Sequence, residues 1–367
     1  MTSIRAVKSA FPGQRHPQPD LIRAFAELTG LSPARRALLD RLHGNDGVDT
    51  RHVALPLQDY DGLRGIAARN DRYLEAALDV GEQALRGALD AAGLTGGDVD
   101  LLIVTSVTGV AVPSLDARLI PRLGLRPDVK RLPVFGLGCV AGAAGLGRLH
   151  DYLLGWPAHT AALLTVELCT LNWPVSDIST ADLVVSALFG DGAAALVASG
   201  ASAGDRAGGG GASGGRAGRA GRRQPRVIAS RSEVYPDSDD TLGWRLGADG
   251  FRIVLTAELA DVVERRLSGS VTAFLAAHGL TVDDIKSWVC HPGGPKVLDA
   301  VQKSLKLPDS ALEISRRSLA EAGNMSSVSV LHILEQVIDT APPPPGSTGL
   351  MIGLGPGVSA ELVLLRW

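Results

Sequence analysis

The sequence predicts an α/β fold made of two pseudo-equivalent halves, each a β-sheet covered by helices. Short apolar runs alternate with segments of helical periodicity along the chain. Residues 92–104 and 278–290 both end a helix at a Gly-Leu-Thr sequence and enter an apolar run. Between them, residues 200–223 are a low-complexity stretch of Gly, Ala, Ser and Arg. We therefore divide the chain into an N-terminal half (1–199), an exposed, flexible insertion (200–223) and a C-terminal half (224–367).

Further matches occur in the same order in both halves. They pair the helix Asp71–Ala92 with Ala257–His278, the helix after Cys139 with Val328–Val337, and the turn Phe189–Ala194 with Ile352–Gly357. Related halves usually meet at a pseudo-twofold axis, and ligand sites favour such junctions. We therefore expect Cys139 and Asn324, which start equivalent helices, to face one cavity.

The other elements follow from periodicity and turn signals. Prolines should keep residues 1–20 extended, and Ser32 is the predicted N-cap inside the helical stretch Leu21–Leu42. The further predicted helices are Leu115–Leu123 and Asp182–Leu188. The predicted strands are Thr50–Leu55, Leu101–Thr105, Arg131–Phe135, Ala161–Glu167 and Ala193–Ala198. The strand Arg131–Phe135 is expected to be buried and to lead into the turn at Cys139.

Composition excludes several classes of protein. The 367 residues are 45% hydrophobic, enough for a large core, and the net charge of -3 does not favour a nucleic-acid partner. Cys139, Cys169 and Cys290 are far apart and lack metal-ligand spacing, which indicates a reducing compartment without a disulfide or metal site. Because no signal peptide or membrane-length apolar run is found, we expect a soluble, cytoplasmic protein with no membrane partner.

Cys139 lies in a run of small residues, Gly136–Gly145, between a strand and a helix. Unpaired N–H groups and the helix dipole at such a position favour negative charge, which lowers the pKa of a thiol and makes it a nucleophile. A small buried residue where a helix packs on a sheet is the alternative, because most buried cysteines are inert. This stretch alone does not decide between the two.

Two other residues complete a candidate site. His291 follows the predicted strand Trp288–Cys290, and by itself it is more often a structural, hydrogen-bonded histidine. Asn324 could simply cap its helix. The duplication changes the balance, because it places a cysteine and an asparagine at equivalent helix starts with the histidine between them. The pattern therefore favours a convergent Cys-His-Asn site.

Four motifs resemble those of the type III polyketide synthases, the chalcone synthase-like group, in its bacterial branch. They are Gly138–Gly142, His291–Pro295 (His-Pro-Gly-Gly-Pro), Gly323–Ser327 (Gly-Asn-Met-Ser-Ser) and Gly353–Gly357. The resemblance runs from about residue 4 to the C-terminus, apart from the insertion. It implies a thiolase-like layered α-β-α-β-α fold and iterative decarboxylative condensation of coenzyme A thioesters, in a homodimer, without a metal or redox cofactor.

The resemblance also implies roles for the three residues. Cys139 would carry the acyl group of a starter acyl-CoA as a thioester. His291 would pair with the thiolate as an imidazolium, and His291 and Asn324 would stabilise the enolate formed when malonyl-CoA loses carbon dioxide. The chain would return to coenzyme A for each further round, before cyclisation to a small aromatic or pyrone product.

Further site residues are implied by the same resemblance. Phe189 corresponds to a gatekeeper between the coenzyme A tunnel and the cavity, and Ile253 to a second gatekeeper that is phenylalanine in plant relatives. Val112 would reach across a homodimer interface into the partner's cavity, and Arg41 and Lys296 would contact coenzyme A. The cavity-shaping positions are Val107, Thr108, Cys169, Asn172, Trp244 and Ser326. Cys169 and Trp244 could equally be core residues.

Two rival functions are of other kinds, and the first of them uses the same three residues. A ketoacyl-acyl-carrier-protein synthase of the fatty-acid initiating type would perform one condensation, but Gly-Gly-Pro after His291 and Met-Ser-Ser after Asn324 argue against it. A catalytically silent subunit that binds acyl chains or a partner synthase would not need Cys139, His291 and Asn324 intact. The cavity positions are compatible with an aliphatic starter and leave malonyl or aromatic starters open. The starter, the number of extensions and the mode of cyclisation are not set by the sequence.

Overall fold

A computed structural model describes residues 1–44, 46–203, 224–247 and 250–367. Apart from residues 200–203, the predicted insertion lies outside the described residues. In the N-terminal half the elements are β1 (Thr2–Ala10), β2 (Gln14–Pro17), α1 (Gln18–Thr29), α2 (Pro33–His43), β3 (Thr50–Val53), α3 (Gly65–Ala92), β4 (Leu101–Thr105), α4 (Leu115–Leu123), β5 (Lys130–Val134), α5 (Ala141–Gly155), β6 (Thr160–Leu168), α6 (Thr180–Leu188) and β7 (Asp191–Ser199).

The C-terminal half is built in the same way. Its elements are β8 (Arg226–Val234), β9 (Leu242–Gly247), β10 (Gly250–Leu255), α7 (Leu259–Ala276), β11 (Ile285–Cys290), α8 (Pro295–Leu305), α9 (Glu313–Ala322), α10 (Ser327–Thr340), β12 (Thr348–Gly355) and β13 (Ser359–Arg366). Within the described residues, no helix is both long and apolar enough to cross a membrane.

The strand pairing confirms that the halves are equivalent. The main sheet has the order β5-β4-β6-β7-β1-β8-β13-β12-β11. In the N-terminal half, β4 is parallel to β6, β6 antiparallel to β7, and β7 antiparallel to β1. In the C-terminal half, β11, β12, β13 and β8 repeat this order and these directions. The halves are joined where Thr2 pairs with Val227 and Ser3 with Arg226.

Three hydrophobic clusters give the predicted layers. One packs α1, α3 and α4 on the outer face of β4, β6 and β7. Another packs α7 and α8 on the outer face of β11–β13. The third lies between them and joins α5 and α10 to strands of both halves. A Cβ added at Gly142 of α5 would overlap the backbone oxygen of Ser327, so these two central helices approach closely at their first turns. The layered α-β-α-β-α prediction is confirmed.

Three local predictions are wrong. The predicted strand Arg131–Phe135 corresponds to β5 and is not buried, because β5 is the edge strand of the sheet. Leu132 is 41% exposed and Phe135 is 57% exposed. Residues 1–20 are not extended throughout, since α1 begins at Gln18, with proline in its first turn. The turn Phe189–Ala194 leads into β7, whose equivalent is β13, whereas Ile352–Gly355 ends β12. The two glycine-rich sequences therefore mark different turns.

Candidate active site

Cys139 lies in a 3-10 turn, Gly138–Val140, that runs directly into α5. This is the predicted strand-to-helix position, and the side chain is buried. Gly138 has φ +57°, and a Cβ there would be 2.5 Å from Cγ of Pro356. A Cβ at Gly355 would be 2.9 Å from the backbone nitrogen of Val140. The predicted Gly-Leu-Gly-Pro-Gly motif therefore supports the turn that carries the thiol, and only glycine permits this approach.

Asn324 is held on both sides of its backbone and through its side chain. Its N–H donates to the oxygen of Leu188 at 2.8 Å, and its own carbonyl accepts from Gly190 N–H at 3.0 Å. These bonds make an isolated parallel bridge between Phe189 and Asn324. The backbone N–H of Ser326 donates to Oδ1 of Asn324 at 2.8 Å. The amide nitrogen is thus the end of the side chain that is left to donate to a substrate.

His291 directly follows β11, and its backbone N–H donates to the oxygen of Ile352 at 2.9 Å. The side chain is 1% exposed, and within the described residues its buried Nδ1 has no hydrogen-bond partner. The hydroxyl of Ser326 hydrogen-bonds to Cys139, which joins the nucleophile turn to the Asn324 loop. The duplicated halves thus contribute a thiol from one helix start and an amide from the other.

Burial controls the charges at this site. It raises the pKa of Cys139 to about 12, and although the Ser326 bond opposes this, Glu167 adds to it. It lowers the pKa of His291 to about 4. The expectation that the helix start lowers the pKa of Cys139 is therefore wrong for the thiol by itself, because burial removes the water that would stabilise a thiolate. Each group is neutral when taken alone.

Glu167 is a site residue that the sequence reasoning missed. It is fully buried on β6, and burial raises its pKa to about 7. Ser327 Oγ donates to it at 2.6 Å, Thr108 Oγ1 at 3.0 Å and the backbone N–H of Val107 at 3.1 Å. The carboxyl group thus ties the start of α10 to the loop after β4. The signal was available, since it is a carboxylate inside an apolar strand sequence.

The predicted cavity residues fall into connected groups. Val107 and Trp244 line a cavity of 560 Å³ whose wall includes Gly138. Trp244 pairs with Ile253 across β9 and β10. Cys169 and Phe189 belong to the same buried cluster as Cys139, and Ile253 packs against that cluster.

Asn172 is tied to the loop that carries Val107 and Thr108, because its Nδ2 donates to the backbone oxygen of Thr108 at 2.9 Å. Ser326, as described above, hydrogen-bonds to Cys139. Phe189 and Asn324 share the backbone bridge, so the predicted gatekeeper and the predicted donor are connected directly.

Three predicted residues lie outside this group. Val112 is 92% exposed, so its side chain does not line the site within this chain. Arg41, in the last turn of α2, and Lys296, in the first turn of α8, are both exposed. A Cβ at Gly47, in the loop after α2, would be 3.3 Å from Cγ of Pro295. That loop and the start of α8 are therefore in contact.

Comparison with known proteins gives full-length similarities. The family described as chalcone and stilbene synthases, N-terminal domain, matches residues 2–202, and its C-terminal domain matches residues 226–367. A 1,3,6,8-tetrahydroxynaphthalene synthase of Streptomyces peucetius subsp. caesius is 56% identical over 366 residues, which cover 100% of this chain and 93% of that protein. A putative chalcone synthase of Bacillus subtilis is 31% identical, over 88% of this chain and 87% of that protein.

Two solved structures are also similar to this chain over its whole length. The 1,3,6,8-tetrahydroxynaphthalene synthase of Streptomyces coelicolor A3(2), a bacterial type III polyketide synthase, has a TM-score of 0.88 at 29% identity, covering 100% of this chain and 99% of that one. PKS-I from the brown alga Ectocarpus siliculosus has a TM-score of 0.89 at 27% identity, covering 100% and 98%.

Proposed function

Because the chain belongs to the chalcone and stilbene synthase family and is a type III polyketide synthase, we propose that it converts malonyl-CoA into 1,3,6,8-tetrahydroxynaphthalene. The observation that carries this product is the 56% identity, over the whole chain, to a synthase of that name. A naphthalene skeleton has ten carbons, which five malonyl units supply once each has lost carbon dioxide. In this proposal malonyl-CoA is therefore both starter and extender.

In the loading step, Sγ of Cys139 attacks the thioester carbonyl of the starter. His291 accepts the thiol proton and passes it to the departing coenzyme A thiolate, which leaves an acyl-cysteine thioester and free coenzyme A. Burial opposes either charge alone, so in this step the attraction between the thiolate and the imidazolium must stabilise the pair, which carries no net charge. The hydroxyl of Ser326 also favours the thiolate.

In the extension step, malonyl-CoA loses carbon dioxide and the electron pair of the broken bond forms an enolate. We assign Nδ2 of Asn324 and a ring N–H of His291 as donors to the enolate oxygen. The enolate carbon attacks the acyl carbonyl, the Cys139 thiolate leaves, and the lengthened chain remains on coenzyme A. Support comes from Ser326, whose backbone N–H occupies Oδ1 of Asn324 and so fixes which end of the amide donates.

The substrate reaches these residues past Phe189 in our proposal, with Ile253 as the second gatekeeper. Val107, Thr108, Cys169, Asn172, Trp244 and Ser326 shape the cavity in which the chain grows. Arg41 and Lys296 would bind coenzyme A phosphates at the mouth, since the loop after α2 contacts the start of α8.

We further propose a homodimer in which a second copy covers the exposed side of β5. Edge strands with apolar side chains tend to pair, and Leu132, Phe135 and Val112 are all exposed. Phe135→Glu should give a monomer in sedimentation velocity, whereas Val234→Glu, at another exposed apolar residue, should leave a dimer. A monomeric wild-type protein would contradict the proposal.

The deciding experiment supplies the purified protein with carbon-labelled malonyl-CoA and no other acyl donor. We expect mass spectrometry to find tetrahydroxynaphthalene, or the quinone it forms in air, with every ring carbon labelled. Pyrones only, or a requirement for a second acyl-CoA, would refute this product. A requirement for malonyl-acyl-carrier protein would instead support the fatty-acid initiating rival.

A further inference from the structure

The segment that carries Phe189 is held by three donors in a row. The backbone carbonyls of residues 187–189 each accept a hydrogen bond from a different partner. Gln18 Nε2 donates to the first at 2.7 Å, the backbone N–H of Asn324 to the second at 2.8 Å, and Arg51 Nη1 to the third at 2.6 Å. Two of these donors are side chains from the N-terminal α1 and β3, far in sequence from both helix starts of the site.

Arg51 also packs against the other side of the same bridge. It is fully buried on β3, and a Cβ added at Gly323 would be 2.8 Å from its Cδ and 2.9 Å from its Cγ. Gly323 immediately precedes Asn324 and has φ +70°. The guanidinium therefore holds the Phe189 carbonyl while the aliphatic stem sets the position of the Asn324 backbone.

The surroundings of Arg51 keep it in one place. Its Nε donates to Oε1 of Gln18 at 2.9 Å, and Nε2 of Gln18 donates to Asp46 at 2.5 Å. Burial lowers the pKa of Arg51 to about 10, opposed by the charges of Asp46 and Asp191, so it is protonated at neutral pH. A charged group this deeply buried has few alternative positions that keep its hydrogen bonds.

We propose that Arg51 is a positioning residue for decarboxylation, which fixes Asn324 and Phe189 relative to each other through the Phe189 carbonyl and the Gly323 backbone. The proposal rests on the proposed role of Asn324 as an enolate donor. The turn that carries Cys139 packs through Gly138 on Pro356, apart from the contacts of Arg51, so loss of Arg51 should lower decarboxylation more than acyl loading.

The test compares Arg51→Gln and Arg51→Lys with the wild type in two assays. One follows carbon dioxide release from malonyl-CoA, and the other follows acyl transfer to Cys139 by intact-protein mass spectrometry. Displacing a reacting group by about 1 Å costs on the order of 100-fold in rate. We expect Arg51→Gln to lower kcat for decarboxylation at least about 10-fold with acyl transfer within about 3-fold of wild type, and Arg51→Lys to recover part of the loss.

Arg69→Gln is the matched control. Arg69 is also a buried arginine, but its Nε donates to the carbonyl of Leu63 at 3.3 Å, in another segment. Its loss should leave the ratio of decarboxylation to acyl transfer unchanged, even where stability falls. If Arg51→Gln does not fold, Gln18→Met, which removes the bond to Ala187 and the support of Arg51, should shift the same ratio in the same direction.

Equal losses in both assays for Arg51→Gln would overturn the positioning role. If Arg51→Gln does not fold, an unchanged ratio of decarboxylation to acyl transfer in Gln18→Met would overturn it. A wild-type protein that releases no carbon dioxide from malonyl-CoA would instead refute the proposed function. Comparing the wild type with the variants therefore separates the two failures.

Discussion

The two halves of the molecule share one topology and carry different chemistry. In each, a buried helix of the central layer, α5 or α10, starts at a sharp turn that faces the same site. The N-terminal turn presents the thiol of Cys139, and the C-terminal turn presents the amide of Asn324. The shared topology gives a symmetric frame, in which we propose that one helix start carries the nucleophile and the other a hydrogen-bond donor.

The backbone differs in a way that suits each role. Gly136 and Gly138 have positive φ before α5, and the second packs against Pro356. Before α10 the corresponding strained positions are Gly323 and Ser326, and Ser326 has φ +51° despite its side chain. A side chain in that region costs on the order of 1–3 kcal/mol. Two contacts of Ser326 offset this free-energy cost. Its backbone N–H donates to Asn324, and its hydroxyl hydrogen-bonds to Cys139.

The comparison predicts opposite defects when each half loses its key side chain. Cys139→Ala should abolish acyl transfer and product formation but keep measurable malonyl-CoA decarboxylation. Asn324→Ala should lower decarboxylation about 100- to 1000-fold, because it removes the proposed donor to the enolate, with acyl transfer largely kept. Intact-protein mass spectrometry and carbon dioxide release measure the two activities. An acyl label on Cys169 or Cys290, or equal loss of both activities in both variants, would break the division of labour.

In the proposed mechanism His291 accepts the proton of Cys139, so its removal should change the pH dependence of Cys139 reactivity. Burial raises the pKa of the thiol to about 12, so without a proton acceptor the thiolate fraction should increase with pH throughout the range 6–9. We expect His291→Gln to slow iodoacetamide alkylation of Cys139 at pH 7 by about 10-fold or more, with a rate that rises steadily with pH. An unchanged pH profile would show that His291 does not accept the proton.

The two strained turns should respond differently to substitution. Gly138→Ala places a Cβ 2.5 Å from a proline ring that cannot rotate away and forces a side chain into φ +57°. We expect it to lower the free energy of unfolding by about 2–4 kcal/mol. Ser326→Gly relieves backbone strain in the folded state but increases the conformational entropy of the unfolded chain. The free energy of unfolding should therefore change by no more than about 1 kcal/mol. Urea denaturation measures both, and equal losses would contradict the distinction.

Much of this arrangement could be predicted from the sequence. The helix Leu115–Leu123 is α4 itself, and Ala161–Glu167 lies within β6. The type III polyketide synthase resemblance could be recognised because its motifs are contiguous and unusual. The family matches confirm it. The duplication was detectable because strand-entry sequences repeat with little change. Local patterns were therefore sufficient for the two α/β halves and the helix starts, whereas the layered fold was predicted from the family resemblance.

Other features depend on the tertiary structure and could not be predicted. The exposure of β5 follows from its place at the sheet edge, which no local pattern reports. The pKa of Cys139 depends on how much water the folded site excludes, so the helix-start rule gave the wrong direction. The contact between Arg51 and the Phe189 carbonyl forms only in the folded protein. The two residues are far apart in the sequence, so no local periodicity predicts their contact. Pro17 and Pro19 suggested a break in helical structure, because the sequence does not show that they lie at the N-cap and in the first turn of α1, where proline is tolerated.

The smallest expected effect concerns the proposed binding of coenzyme A phosphates by Lys296 and Arg41, one residue from each half. Lys296 is in the first turn of α8, where the helix dipole adds to its attraction for a phosphate, whereas Arg41 is in the last turn of α2, where the dipole opposes it. We expect Lys296→Glu to raise KM for malonyl-CoA about 3- to 10-fold with kcat nearly unchanged, and Arg41→Glu to raise it less. Lys306→Glu, the same charge change just after α8, is the control and should leave KM unaltered. Added salt should shrink the Lys296→Glu effect, and an effect that persists at high salt would show that it is not electrostatic.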